Sequence, residues 1–432
     1  MPTKNSLFHS MPNPDNITRV VLENGITILV YENFNTRSVV LHGVGLGGAL
    51  HEDRAYNGVA AMTAGALMRG TASRDFQTLA ASLEDIGADF GVSAGTHHIN
   101  FGGKSLAEDL SVLVDVMADA LRHPVFPADQ VDRLRGEAMT WLRYGLQDTR
   151  RQSARAFREA LYSPDHPYHY TPRGTLETLP GITIEMVRQF HAKHYGPRGM
   201  TLAVVGAVRA AEAIDLVSQK LGDWRNPEQS EASTVPDAPQ PAEIVRSFVP
   251  IPGKTQSDLM LGVVGPTRYA EDFQAARLAN SVLGEFGMMG RIGDEVREKS
   301  GMAYYAYSRL DGGHGPGAWS ITAGVNPANV ERAIELSLAE VRKMVDVGVS
   351  NEELADNQSY FVGRIPLQLE SNEGVAGTIL SMETYGLGLD YLVRLPGVIG
   401  ALTKNDLRDA IRRYWNPDAA VIAVAGSSIA GN

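Results

Sequence analysis

The chain contains no cysteine among its 432 residues. This absence excludes disulfide bonds, thiolate metal ligands and a thiol nucleophile. No run of about 20 apolar residues occurs, so no transmembrane helix is expected. The first thirty residues also lack the basic and apolar segments of a secretory signal, and the prediction is a cytoplasmic protein. The net charge of −11 argues against nucleic acid as a partner.

The clearest positive feature is an internal repeat. The segments Thr183–Gly206 and Thr403–Gly426 have the same length and lie 220 residues apart (403 − 183). Each reads as a helix, a proline-containing turn and an apolar strand. Besides the threonine and glycine at their ends, they share four residues: Arg188 with Arg408, Pro197 with Pro417, Ala203 with Ala423, and Val204 with Val424.

A second pair of segments supports the repeat. Strands are predicted over Ser38–Gly45 and Ser257–Val264, at an offset of 219 (257 − 38). This offset places Gly43 and Val44 over Gly262 and Val263. A helical pattern follows each strand, and matches at several places indicate a duplicated domain.

The predicted fold class is α+β, with two homologous domains at 15–225 and 246–428. The segment 226–245 between them is rich in Pro, Ser, Glu and Ala and reads as an exposed linker. Near the start, Asn24-Gly25 predicts a two-residue hairpin turn in which both residues have φ > 0. Hairpins followed by helices favour a mainly antiparallel sheet with helices packed on one face.

Two segments carry a more specific signal, Gly58–Thr71 and Glu295–Tyr304. Together with Leu83–Ala88 and Pro124–Phe126, they resemble the pitrilysin/insulinase family of zinc metallopeptidases. This family includes the mitochondrial processing peptidases and the core proteins of the respiratory bc1 complex. The resemblance extends from about Ile17 to Gly426, and it implies a duplicated-domain protein that forms half of a clamshell around a chamber.

Enzymes of this family bind zinc through an HxxEH motif on a helix of the first domain. The two histidines lie on one helical face and ligate the ion, while the glutamate activates the metal-bound water. In the frame set by Gly58 and Gly70, the histidine positions hold Ala61 and Gly65, and the glutamate position holds Ala64. The zinc motif is therefore degenerate.

The family completes its zinc site with a further glutamate about 75 residues downstream. That position falls near Thr140 or Trp141, and neither is a carboxylate. Glu137 is close but lies about one helical turn away. Since methyl groups and a bare backbone cannot hold a dication, no metal or other cofactor is expected in this chain.

The second segment retains what the resemblance identifies as a substrate-binding pair. Family members hold the substrate with an arginine and a tyrosine of the second domain, spaced R-x6-Y, and Arg297 and Tyr304 fit this spacing. A guanidinium can bind a peptide carbonyl, and a phenol can donate a hydrogen bond to a developing oxyanion. Gly301 predicts that a helix ends there and that a strand begins at Ala303, with Tyr304 at its start.

Some bacterial members of the family are heterodimers in which one chain carries the zinc ligands and the other carries the Arg–Tyr pair. The resemblance therefore implies a non-catalytic subunit that completes the site of a homologous, zinc-bearing partner and acts on peptides. A bound peptide would add a strand to a sheet edge. The isolated chain is also a candidate for self-association as a homodimer.

Two other functions remain open from the residues alone. One is a peptide-binding or scaffold protein without a role in proteolysis, and the other is an autonomous hydrolase, for which no nucleophile–base constellation is visible. His191 and His194 have a helical spacing that suits a metal. Their repeat counterparts, Ile411 and Tyr414, favour a structural role for both.

Overall fold

The computed structural model of the chain describes residues 11–285 and 290–427 and contains two β-sheets. Sheet 1 comprises β1 (Ile17–Val21), β2 (Thr27–Glu32), β3 (Ser38–Gly45), β4 (Asp89–Ala94), β5 (Ile99–Leu106) and β6 (Thr201–Gly206). Sheet 2 comprises β7 (Val245–Pro250), β8 (Ser257–Val264), β9 (Ala303–Leu310), β10 (Ala318–Val325) and β11 (Val421–Gly426).

Fourteen α-helices are found in the described residues. They are α1 (Val59–Ala66), α2 (Phe76–Glu84), α3 (Leu110–Arg122), α4 (Ala128–Gly145), α5 (Thr149–Leu161), α6 (Ile184–His194), α7 (Ala210–Leu221), α8 (Phe273–Asn280), α9 (Val330–Asp346), α10 (Asn351–Gly363), α11 (Ile365–Gln368), α12 (Asn372–Thr384), α13 (Tyr391–Ala401) and α14 (Lys404–Tyr414). In the ranges 11–285 and 290–427, none of the helices has both the length and the apolar character that crossing a bilayer requires.

The two sheets have the same topology, which confirms the predicted duplication and the α+β class. Their strand orders are β1-β2-β6-β3-β5-β4 and β7-β11-β8-β10-β9. In each sheet one pair of strands is parallel, β2 with β6 and β7 with β11, and the remaining pairs are antiparallel. Sheet 1 differs only by the added strand β1, which pairs with β2.

The closing segments of the two repeats match residue for residue, as the offset of 220 predicts. Helices α6 and α14 begin after Thr183 and Thr403, whose hydroxyls accept hydrogen bonds from the backbone N–H of Met186 and Asp406. This N-terminal capping satisfies one of the unpaired donors of each helix. Each helix then leads into an inner strand of its sheet, β6 or β11.

The predicted alignment of β3 with β8 is wrong by one residue. Val44 lies opposite Thr201 in sheet 1, whereas Gly262 lies opposite Val421 in sheet 2. Because Thr201 and Val421 correspond at the offset of 220, Val44 corresponds to Gly262, and the offset of these strands is 218 (262 − 44). A slip of one residue exchanges the two faces of a strand, so the offset of 218 decides which side chains of β3 and β8 occupy equivalent positions.

The first hairpin is present, but its turn differs from the prediction. Strands β1 and β2 pair Val21 with Thr27, and the turn has hydrogen bonds from Gly25 N to Leu22 O and from Leu22 N to Ile26 O. Gly25 has a φ of 93°, while Asn24 is not among the described residues of positive φ. The connection is therefore a longer turn that ends in a glycine bulge.

The described chain forms two compact units that exchange one helical segment each. Unit 1 contains the described residues up to Thr140 together with Thr171–Ser233 and Arg364–Arg394. Unit 2 contains Trp141–Tyr170, Thr234–Gly363 and the described residues from Leu395 onward. Helix α5, from the first repeat, thus packs on β8 and β11, and α12, from the second repeat, packs on β3 and β6.

The exchanged helices lie on the sheet face opposite the other helices. In unit 2, Phe157 of α5 is buried with Val421 and Ala423 of β11, and its ring lies over Gly262 of β8. In unit 1, Leu113 of α3 lies against the other face of sheet 1, beside Gly103. The sequence predicts helices on one face of each sheet, and the structure adds one helix on the second face.

Replacing Phe157 with alanine tests this exchange. The loss of a buried aromatic ring should lower the free energy of unfolding by about 3–5 kcal/mol. Hydrogen–deuterium exchange should show the loss of protection in β8 and β11, although Phe157 belongs to the first repeat. Arg155→Ala, an exposed position on the same helix, is the control and should change neither sheet. Deprotection confined to sheet 1 would contradict the exchange.

Candidate functional site

Helix α1, which carries the degenerate motif, is fixed at its start by a partly buried carboxylate. Glu52 accepts hydrogen bonds from the backbone N–H of Gly58 (3.0 Å) and Ala60 (2.7 Å) and from the side chain of Asn57 (2.9 Å). Gly58 has a φ of 104°, which suits glycine. Burial raises the pKa of Glu52 to about 7, against the effect of these hydrogen bonds. Glu52 therefore has a capping role.

The two histidine positions of the motif lie on one face of α1, and neither Ala61 nor Gly65 has a side-chain atom that could ligate a metal. Ala61 and Gly65 are partly exposed, while Ala64 is fully buried. Leu134 of α4 packs against Gly65, and a Cβ atom at Gly65 would lie 3.1 Å from a methyl group of Leu134. A hydrocarbon side chain thus covers the position where the family has its second histidine.

The remaining carboxylate near the motif is held in ion pairs. Glu137 of α4 contacts Arg69 at 2.7 Å and Arg133 at 3.2 Å. The hydroxyl of Thr140 donates to the carbonyl of Gly136 within the same helix. The residues thus do not fit a zinc ion, and within 11–285 and 290–427 no group of three or more His, Asp or Glu side chains is arranged to hold a metal.

Arg297 lies on a short π-helical segment, Gly293–Lys299, at the surface of unit 2. Val296 is fully buried and anchors the segment, so its neighbour Arg297 faces outward with 41% of its side chain exposed. Its only ion pair within the described chain is a loose one, 3.6 Å from Nε to the carboxylate of Glu298. Gly301, with a φ of 63°, ends the segment as predicted.

Tyr304 is the second residue of β9, the edge strand of sheet 2. The residue is 72% exposed. None of the described residues forms a hydrogen bond with its hydroxyl group. Arg297 and Tyr304 thus lie in one unit, on either side of the Gly301 turn, and both offer hydrogen-bond donors to a ligand. Ala61, Ala64 and Gly65 belong to the other unit.

Sequence reasoning missed a polar cluster behind Tyr304. Asp258 of β8 is 1% exposed and accepts hydrogen bonds from the hydroxyls of Tyr305 and Thr149. Arg150 donates to the hydroxyl of Tyr307 at 2.6 Å. The signal for this cluster was a single acidic residue inside the otherwise apolar strand Ser257–Val264.

The histidines with metal-like spacing each have another partner. The Nε2 atom of His191 lies 2.9 Å from the carbonyl oxygen of Leu121, and the Nδ1 atom of His194 lies 2.7 Å from the hydroxyl of Ser230. Burial lowers the pKa of both imidazoles to about 4. Both side chains thus act in packing as neutral groups, in agreement with the structural interpretation.

Two protein-family models match the chain. The model of insulinase (peptidase family M16) matches residues 29–163. The model described as the peptidase M16 inactive domain matches residues 181–360. The first range includes the degenerate motif of α1, and the second includes Arg297 and Tyr304.

Relatives and solved structures agree with these models. An uncharacterized zinc protease of Streptomyces coelicolor is 24% identical over 405 residues, which cover 92% of this chain and 86% of the relative. The crystal structure of a peptidase M16 inactive domain from Pseudomonas fluorescens is 25% identical, with a TM-score of 0.87 over 96% of this chain and 99% of that one. A protease from Helicobacter pylori has a TM-score of 0.84 at 18% identity, covering 95% and 99%.

Zinc binding by the purified chain should be absent, and restoring the motif alone should create only weak binding. We expect the variant with Ala61→His, Ala64→Glu and Gly65→His to bind zinc only weakly in isothermal titration calorimetry. Leu134 contacts position 65, and the nearby carboxylate of Glu137 is paired with Arg69. Stoichiometric, chelator-resistant zinc in the unmodified chain would contradict this expectation.

The buried histidines should make the protein less stable in mild acid. A folded-state pKa of about 4 for His191 lies below the value of about 6.5 in the unfolded chain. The contribution of neutral His191 to the free energy of unfolding is therefore fully present above pH ~6.5. It is lost as the pH falls toward 4, by about 2 kcal/mol at pH ~5. Urea unfolding at pH ~6.5 and at pH ~5 measures this loss of free energy of unfolding. The loss of stability should be smaller in His191→Gln. An unchanged pH dependence in that variant would contradict the attribution of the loss to His191.

Proposed function

Because the chain belongs to the insulinase family of peptidases, family M16, we propose that it is the non-catalytic subunit of a zinc metallopeptidase. In this proposal it cleaves nothing by itself, and it completes the peptide-binding site of a homologous partner that carries the zinc. The observation that carries the proposal is an exposed Arg–Tyr pair in a chain whose own zinc-ligand positions are filled by other groups.

The first support is the chemistry that replaces the zinc site. A peptidase of this type needs a metal-bound water and a general base beside it. In this chain, Leu134 covers Gly65, and Arg69 neutralises the nearby carboxylate of Glu137. Because these contacts occupy the surroundings of the motif, a small rearrangement of side chains would not produce a metal site there.

The second support is the state of Arg297 and Tyr304. Long polar side chains at a surface commonly find partners within their own chain, but the hydroxyl of Tyr304 has none in the described structure and Arg297 has only a distant one. Two such donors suit a peptide carbonyl that becomes an oxyanion during hydrolysis. In the proposed complex they bind and orient this carbonyl, while the partner supplies the attacking water.

The substrates in this proposal are peptides bound as an added strand. Strands β4 and β9 each form one of the two edges of their sheets, and an edge strand presents unpaired backbone N–H and C=O groups. Strand β4 lies beside α1, and β9 carries Tyr304. Backbone hydrogen bonds at such an edge bind a peptide with little demand on its side chains. The heterodimeric partner, its zinc and the cytoplasmic location stay predictions.

Substitution of the pair in the assembled complex tests the proposal. Tyr304→Phe removes only a hydroxyl, and Arg297→Ala removes the guanidinium. Each should lower kcat for a peptide substrate by about 10²-fold, the effect of losing one oxyanion donor. Turnover of a fluorogenic peptide by the purified two-chain complex, with size-exclusion chromatography as the check on assembly, is the measurement.

Matched controls are available at exposed positions. Tyr144→Phe and Arg332→Ala remove the same groups from surface sites and should leave turnover unchanged. If Tyr304→Phe and Arg297→Ala behave like these controls, the pair has no role in proteolysis, and a scaffold function becomes the better account. Chelator-sensitive peptide cleavage by the isolated chain would refute the proposed lack of activity.

A further inference from the structure

Tyr304 lies at an irregularity in the pairing of β9 with β10. Tyr305 lies opposite Gly324, but the next pair joins Ala303 with Val325, so Tyr304 has no opposite residue. This arrangement is a β-bulge, which inserts one extra residue and turns its side chain away from the regular direction of the strand. The exposure of Tyr304 thus depends on a local backbone feature that the regular sheet pairing does not enforce.

Tyr305, the residue after the bulge, is held tightly against the sheet. Its ring lies over Gly324, where a Cβ atom would come within 2.6 Å of the ring. Its hydroxyl donates to the buried carboxylate of Asp258. Burial, and after it this hydrogen bond, raise the pKa of Tyr305 well above its usual range, so the phenol stays a neutral donor.

Two residues at the start of α5 complete the cluster. The guanidinium of Arg150 lies 4.8 Å from the ring centroid of Tyr305 and donates a hydrogen bond to the hydroxyl of Tyr307. Thr149 donates to the second oxygen of Asp258. A buried carboxylate is costly without hydrogen-bond donors, and the side chains that donate to Asp258 are those of Tyr305, Thr149 and, at 3.0 Å, Gln256. Tyr305 is thus confined between Asp258, Gly324 and Arg150.

At the equivalent strand positions of sheet 1, the first repeat has no tyrosine cluster. By the strand register, Asp89 and Lys104 occupy the positions of Tyr305 and Gly324, and Gly91 occupies that of Tyr307. The pairing of β4 with β5 is regular, and a cavity of about 440 Å³ lies over these residues. The fold therefore does not require the tyrosine cluster. It occurs in the repeat that carries Tyr304.

We propose that Arg150, Asp258 and Tyr305 are positioning residues that fix the bulge and thereby the direction of Tyr304. This inference rests on the proposed role of Tyr304 in peptide binding. It assigns a function to three residues that do not touch the substrate. It also explains why an arginine from the first repeat contacts the substrate-binding strand of the second.

A double-mutant cycle in the two-chain complex tests this assignment. Tyr305→Phe keeps the ring over Gly324 and removes only the hydrogen bond to Asp258, so the protein should fold. We expect it to lower kcat/KM for a fluorogenic peptide about fivefold when Tyr304 is present and less than about twofold when Tyr304→Phe is also present. Equal effects in both backgrounds would show a purely structural role and overturn the inference.

Arg150→Met provides a second variant, with Arg155→Met on the same helix as its control. Arg150→Met should reproduce the coupling to Tyr304, and Arg155→Met should not. In the isolated chain, hydrogen–deuterium exchange of the Ala303–Tyr305 backbone should increase in Arg150→Met and Tyr305→Phe. Unchanged exchange in both variants would overturn the inference.

The failure of the inference and that of the proposed function are distinguishable. If Tyr304→Phe alone leaves turnover unchanged, the substrate-binding role of the pair is wrong, and the positioning role is overturned with it. If Tyr304→Phe lowers turnover while Tyr305→Phe and Arg150→Met do not, only the positioning role is wrong.

Discussion

Each sheet depends on a helix that the other repeat of the chain supplies. Without α5, the face of sheet 2 formed by Val421, Ala423 and Gly262 would be exposed to water, and its stability would fall with the apolar area uncovered. Helix α12 has the same role on β3 and β6 of sheet 1. The duplicated domain is thus completed only when both repeats are folded, although the strands of each sheet come from one repeat alone.

This exchange also explains how the polar residues of unit 2 come together. Thr149 and Arg150 stand at the first turn of α5, because Asp148 caps the helix through the backbone N–H of Arg151. The packing of Phe157 sets the position of the helix on the sheet. The first turn of α5 consequently lies over β8 and β9, where Asp258 and Tyr305 provide an acceptor and an aromatic ring.

The local parts of the fold could be predicted from the sequence, and the long-range parts could not. Thr183, Thr403 and the glycines that end β6 and β11 mark the repeat, because capping and turn residues act within a few positions of themselves. Gly301 likewise indicated the end of the helical segment before Tyr304. The correspondence between β3 and β8 depends on how each strand pairs with its neighbours. The Gly-Val pair that both strands contain therefore predicts an alignment that is wrong by one residue.

The residues of the candidate site can likewise be predicted from local sequence, whereas their contacts with distant residues cannot. Arg297, Tyr304 and the degenerate positions on α1 were recognisable because each lies in a contiguous motif. The contacts around these residues join positions that are distant in sequence: Leu134 with Gly65, Arg69 with Glu137, and Arg150 with Tyr305. Side-chain contacts between elements follow from packing, and a single sequence contains no periodic signal for them.

The two repeats have therefore diverged by replacement as well as by loss. In unit 1, the place of a metal site is taken by aliphatic packing and an arginine–glutamate pair, both of which stabilise α1 against α4 without a cation. In unit 2, the strand positions that are acidic or glycine in the first repeat hold the tyrosines that confine the bulge at Tyr304. A buried carboxylate costs free energy unless it is hydrogen-bonded, and Asp258 meets this condition in part through Tyr305 of β9 and Thr149 of α5. In the proposed role of Tyr304, this buried hydrogen bonding gives the phenol a fixed direction before a peptide binds, so that less conformational freedom is lost on binding.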